Sequence, residues 1–171
     1  MKRSCTAASA LFFLTLGLAV LTVPARAGGP PATPVVPVLT SIHTVHAASA
    51  HADLIRFGFQ PAAPMDVTAR YVPRSALIQD GSGLPVAVRG QSFVQVVLRG
   101  AAAHDERGGP TAPRDLFPVP ATTNVVQVRL GGDFEGVVTY FIGLREPAPA
   151  PPVHPAVDRM EGCVTVSIPT R

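Results

Sequence analysis

The sequence predicts an all-β fold, a single β-sandwich of about seven or eight short strands with long Pro/Gly-rich loops. Three observations carry this expectation. Apolar residues recur at every second position in run after run, the signature of half-buried strands. No window holds an apolar stripe of helical period longer than two turns. Clusters of Gly, Pro and Asp separate the runs, and these residues supply turn geometry.

Residues 1–27 read as a signal peptide. Lys2 and Arg3 form its basic start, Ala10–Val23 its apolar run, and Ala25-Arg26-Ala27 a small-x-small cleavage site. The apolar run stops at Pro24, short of the roughly 20 apolar residues that span a bilayer. Cys5 precedes this run, which is not where a lipoprotein signal carries its modified cysteine. The expectation is cleavage after Ala27, export, and no membrane span thereafter. Residues 28–38 form a Pro-rich linker, and residues 39–171 form one domain.

Within that domain the alternating runs come in order. In Ala52–Phe59, Ile55, Phe57 and Phe59 alternate with Leu54, Arg56 and Gly58. In Phe93–Arg99, Val94, Val96 and Leu98 take one phase, with Gln95 and Arg99 on the other. In Asn124–Leu130, Val126, Val128 and Leu130 alternate with Gln127 and Arg129. Val138, Tyr140, Ile142 and Leu144 share a phase in Val137–Leu144, as do Val164, Val166 and Ile168 at the end. Ser41–His46, Val67–Val72 and Val86–Val88 are weaker candidates. Asp80-Gly81-Ser82-Gly83 and Gly131-Gly132-Asp133 read as tight turns. His104–Thr123, with Gly108, Gly109 and four prolines, reads as a long loop of the kind that is functional or mobile. Pro147–Pro155 is a second Pro-rich stretch.

Charge argues against one class of partner. Without residues 1–27 the chain holds eleven Arg, no Lys and eleven acidic residues. Its net charge is near zero, so the basic pI is no nucleic-acid footprint. Only Cys163 remains, which rules out an intrachain disulfide. Its place beside Val164 and Val166 suggests burial.

No catalytic set emerges. Gly81-Ser82-Gly83 and Gly90-Gln91-Ser92 lack the spacing of a nucleophile elbow. No phosphate loop or dinucleotide fingerprint occurs. His43, His46 and His51 have no Cys pair or HExxH beside them, so neither a metal nor any other cofactor is expected. His104-Asp105 opens the long loop: either a histidine supported by a carboxylate, or an Asp that starts a turn beside a surface histidine. Asp133 and Glu135, two residues apart at a strand start, would share a face and serve a cation or a sugar; alternatively they are a turn-forming Asp and a solvated Glu. Arg56, Arg99 and Arg129 each take the polar phase of a strand, and Arg70 joins them. Guanidinium forks bind carboxylates and phosphates at two points, so this set is the candidate for an anionic ligand. Its bland reading is solvated sheet surface.

Several landmarks together resemble the AMIN-like domain family of exported actinobacterial proteins. They are Ala52-Asp53-Leu54-Ile55-Arg56-Phe57-Gly58-Phe59, Arg70-Tyr71-Val72, and Asp80-Gly81-Ser82-Gly83 with Val86 and Gly90. Ala103-His104-Asp105 and Gly108 follow, then Gly132-Asp133-Phe134-Glu135-Gly136 leading to Tyr140 and Ile142-Gly143-Leu144. The resemblance spans about Leu39–Leu144. It implies a β-sandwich similar to the amidase N-terminal domain, which directs envelope proteins to their place and is associated with peptidoglycan. The family tends to finish on an apolar strand with a Val-Asp pair; Val157-Asp158 is either that pair, displaced by the Pro-rich insertion, or a coincidence.

The expectation is therefore an exported, extracytoplasmic, non-catalytic envelope module, with association to the cell wall as one of its readings. Its partner would be a cell-wall glycan or peptide, or an associated anionic polymer. The alternatives are an envelope protein–protein interaction domain and, less favoured, a wall hydrolase using the His104–Thr123 loop. The C-terminal Ile168-Pro169-Thr170-Arg171 is not a sorting signal, so retention at the wall would rest on binding.

Overall fold

The computed structural model describes residues 35–64, 66–118, 120–149 and 155–171. The signal-peptide reading and most of the linker lie outside the described residues. Pro34–Arg171 forms one compact unit.

Nine strands in two antiparallel sheets occur among the described residues: β1 (Val38–Ala47), β2 (Ala52–Gln60), β3 (Asp66–Val72), β4 (Ser92–Arg99), β5 (Asp115–Leu116), β6 (Val125–Phe134), β7 (Val137–Leu144), β8 (Ala156–Met160) and β9 (Cys163–Pro169). The first sheet has the order β1-β2-β9-β8 and the second β3-β4-β7-β6-β5. The predicted sandwich is present. Its two additional strands are β5, two residues within the long loop, and β8, whose outward residues give no apolar alternation. Val157-Asp158 belongs to β8. Val86–Val88 is not a strand; it belongs to the segment covering the second sheet.

The core lies between the sheets. Ile55, Phe57 and Phe59 of β2 meet Val94, Val96 and Leu98 of β4 and Val138, Tyr140, Ile142 and Leu144 of β7. The Phe57 and Tyr140 rings pack with centroids 5.6 Å apart. Removing this apolar area from water is the main stabilising term, about 25 cal/mol per Å². On β9, Val164, Val166 and Ile168 take the inward phase, which turns Cys163 outward. The cysteine is free and half-buried rather than buried.

The outer face of the second sheet is also covered. Pro73–Gln91 crosses it and seals a smaller apolar cluster of Leu77, Val88, Phe93 and Phe141. This is why β7 is buried on both faces, Thr139 and Phe141 included. The close passage requires glycine: a Cβ at Gly143 would overlap the Arg89 carbonyl oxygen.

β6 departs most from its sequence pattern. Its register against β7 shifts between Val125 and Gln127 and again between Leu130 and Gly132. Each shift is a β-bulge, and each reverses the phase. Val125 is therefore buried, whereas Val126 is only partly so. The stretch Gly131-Gly132-Asp133 is not a turn; the strand runs through it to Phe134, and the turn falls at Glu135-Gly136. After the second bulge Asp133 pairs with core-facing Val138, and Phe134 is 57% exposed.

Candidate functional site

A groove of about 760 Å³ opens along β6. Its floor is Arg129–Phe134, one wall is the turn region Gln79–Ala87, and the other is formed by Ala103, His104 and the approach to β5. Glycine fixes the floor at Gly132, where a Cβ would collide with the Asp80 side chain. Asp80 is held there as its backbone N–H donates to the Gly131 carbonyl at 3.1 Å.

Asp133 organises the second wall. His104 donates from Nδ1 to Asp133 Oδ2 at 2.6 Å, and the Ala103 backbone N–H donates to the same oxygen at 3.1 Å. The other oxygen, Oδ1, is buried without a hydrogen-bond partner, as is Oδ2 of Asp80. Below the groove the Tyr140 hydroxyl donates to the Pro113 carbonyl at 2.9 Å. Burial pushes the Tyr140 phenol well above its usual range; the Asp133 charge adds to this and Arg114 opposes it.

Ion pairing in the groove is uneven. Arg129 Nη1 lies 3.5 Å from Asp115 Oδ2, and Gln127 Nε2 donates to Asp115 Oδ1 at 2.7 Å. Arg114 is exposed and makes no ion pair with the described residues. Among the described residues the lining holds no Ser, Thr, Cys, Lys or Tyr. Nor is there a group of three or more His, Cys, Asp or Glu arranged to hold a metal ion among them.

The sequence candidates are thus divided. His104 and Asp133 meet, but as a pair that the sequence did not suggest. Asp105 instead closes a turn, accepting from the Arg107 and Gly109 N–H groups at 2.9 and 2.8 Å. Glu135 sits at the β6–β7 turn with a φ of +50° and is exposed, so it shares no strand face with Asp133. The four arginines do not form one patch. Arg56 lies on the outer face of the first sheet, in a cross-strand row with His43, Thr165 and Asp158. Arg70, Arg99 and Arg129 lie on the second sheet. Arg70 donates to Gln95 Oε1 at 3.1 and 3.0 Å, and Arg99 pairs with Asp66 at 3.5 Å. Only Arg129 borders the groove.

A second aspartate went unremarked as a chemical group. Asp53 is fully buried at the start of β2. Its carboxylate accepts the backbone N–H groups of Thr123, Asn124 and Val125, and His46 Nδ1 donates to it at 2.9 Å. Burial raises its pKa, but the three backbone N–H groups and His46 outweigh this and hold the carboxyl below its usual range. Asp53 therefore clamps the exit of the long loop to the first sheet.

Residues 40–154 match the AMIN-like domain family. The chain belongs to the AMIN-like domain family. No curated protein and no solved structure matches it. The matched span contains β2 to β7 and the whole groove, and stops before β8, so Val157-Asp158 falls outside it. Membership marks the chain as a cell-envelope module of the amidase N-terminal type. No helix among the described residues is long and apolar enough to cross a membrane.

Proposed function

We propose that this AMIN-like domain is an exported, non-catalytic module that binds peptidoglycan in the groove along β6. The observation that carries this reading is the groove itself. Side chains of both charges converge there with an exposed aromatic ring, Phe134. Concave sites with a few placed polar groups are the usual form of a ligand site.

The test is co-sedimentation of residues 28–171 with purified sacculi across a salt series. Saturable binding that weakens with salt is expected, because charged groups dominate the groove. No binding to sacculi overturns the reading. The His104–Asp133 pair favours a second reading, a wall hydrolase with His104 as the acid or base. Release of soluble fragments from sacculi, lost in His104→Gln, would decide for that alternative.

A further inference from the structure

A sheet edge carries a row of backbone N–H and C=O groups that can accept another strand. Folded proteins guard such edges with short strands, bulges, inward-pointing charges, proline or a covering loop. The two sheets end at β1, β8, β3 and β5, and three of these edges are guarded. β1 has a register shift between Leu39 and Ser41. Loop residues also cover it: the Leu39 N–H donates to the Ala102 carbonyl at 2.8 Å, and the His46 N–H to the Ala121 carbonyl at 2.9 Å. β5 is only Asp115–Leu116. β8 holds Arg159 directly opposite the core residue Val164, so a charge occupies the inward register there.

β3 has none of these devices. Asp66–Val72 pairs with β4 in unbroken register and contains no proline. Among the described residues, no segment other than β4 bonds its backbone. Its inward phase is Val67, Ala69 and Tyr71, opposite Leu98, Val96 and Val94. Its outward phase includes Asp66, Thr68 and Arg70, all exposed. The two charges have opposite sign and stand symmetrically about Thr68. Neither is strongly held within its own chain. Asp66 faces Arg99 at 3.5 Å, with both side chains at least half exposed. The Arg70 guanidinium bonds the neutral Gln95 amide oxygen, not a carboxylate.

We infer that β3 pairs antiparallel with β3 of a second copy, on a two-fold axis at Thr68, joining the two five-stranded sheets into one sheet of ten. Residues directly opposite each other in an antiparallel pair share a face and interact. On the outward face Asp66 meets Arg70 of the partner subunit, Arg70 meets Asp66 of the partner subunit, and the two Thr68 residues meet each other. On the inward face Val67 meets Ala69 of the partner subunit. Opposite-charge and Thr–Thr pairs are favourable cross-strand pairs, and like charges directly opposite are unfavourable. Moving the axis one residue in either direction loses both ion pairs, so the charges select this register. β4 and β7 separate β3 from β6, which leaves both grooves open. Under the wall-binding reading, one dimer then holds two sites of the same polymer, and the second contact becomes intramolecular. The pairing itself does not depend on that reading.

The ladder spans Asp66–Arg70 of each copy, less than a standard interface, so the association is weak. Sedimentation equilibrium of residues 28–171 from about 10 µM to about 1 mM covers that weak range. A reductant in the buffer excludes a disulfide through Cys163. A reversible monomer–dimer equilibrium is expected. Asp66→Arg sets positive charges opposite each other at both ends of the ladder, and Arg70→Asp sets negative charges there. Each variant alone should dimerise about tenfold more weakly or worse. An equimolar mixture of the two variants restores opposite charges in both pairs and should recover the native association to within about threefold. Unchanged circular dichroism of both variants excludes unfolding. A monomer at every concentration, a dimer that both variants leave intact, or a mixture that associates no better than its components overturns the inference. No wall material enters this experiment, so its outcome and that of sacculus co-sedimentation are read separately.

Discussion

Replacing Asp53 by Ala removes the acceptor of three successive backbone N–H groups. Two of them, on Asn124 and Val125, belong to buried residues and have no route to water. An unsatisfied buried donor costs about 1–3 kcal/mol. Removing a desolvated carboxylate returns part of this, so a net loss of about 3 kcal/mol is expected. For a domain of this size that lowers Tm by about 12 °C. Urea unfolding at neutral pH measures the loss directly, as a lower midpoint at unchanged slope. The pH dependence supplies a second signature. The folded carboxyl has a pKa below that of the unfolded chain. Its stabilisation is therefore fully present above the unfolded value, about 3.9, and is lost as pH falls through the folded value. The native protein should weaken across that acid window, and Asp53→Ala should show a correspondingly smaller decline. A variant within about 0.5 kcal/mol of the native protein at neutral pH, where unperturbed surface changes fall, would refute the clamp.

Other outcomes follow from the same geometry. Gly143→Ala places a methyl group on the Arg89 carbonyl; unfolding experiments should show a loss of about 1–3 kcal/mol, the usual range for overpacking. The double change Arg56→Ala with Arg99→Ala should alter urea stability by less than about 1 kcal/mol, since exposed pairs contribute little, and should leave sacculus binding intact. Both tyrosines have raised phenol pKa values, Tyr140 mainly through burial and Tyr71 through burial and the Glu146 charge. Their neutral forms stabilise the fold below about pH 10, and this contribution is lost as pH rises through the folded values. In an alkaline titration the Tyr140 share of the phenolate band should therefore appear together with loss of the circular dichroism signal, not before it.

Strand phase made much of the fold legible in the sequence. Ile55, Phe57 and Phe59 identify the inward face of β2, and Val94, Val96 and Leu98 that of β4. The same phase contains a signal that hydropathy conceals: Asp53 lies two residues before Ile55, in the inward register, so a carboxylate there has to be buried and satisfied. β6 could not be read in this way. Its two bulges reverse the alternation, turn Asp133 to the side of core-facing Val138 and expose Phe134, and bulge positions depend on the partner strand rather than on local composition. Gly131 and Gly132 resembled a turn because glycine serves both turns and close approach; what demands glycine at Gly132 is Asp80, distant in sequence. The groove combines three such separated segments, so no local motif announces it. The arginines, by contrast, were located correctly as outward strand residues, but they occupy two different sheets.

The most direct test of the account is sacculus co-sedimentation of three proteins in parallel: residues 28–171 unchanged, the same span with Asp133→Asn and Arg114→Gln, and the same span with Arg56→Ala and Arg99→Ala. All three should first show the same folded circular dichroism spectrum. The account predicts saturable binding for the first and third and at least about a tenfold loss for the second, the scale expected from removing charge-assisted contacts. Undiminished binding by the groove variant, or loss confined to the Arg56 and Arg99 variant, would contradict it and move the binding surface to the open face of the sheets.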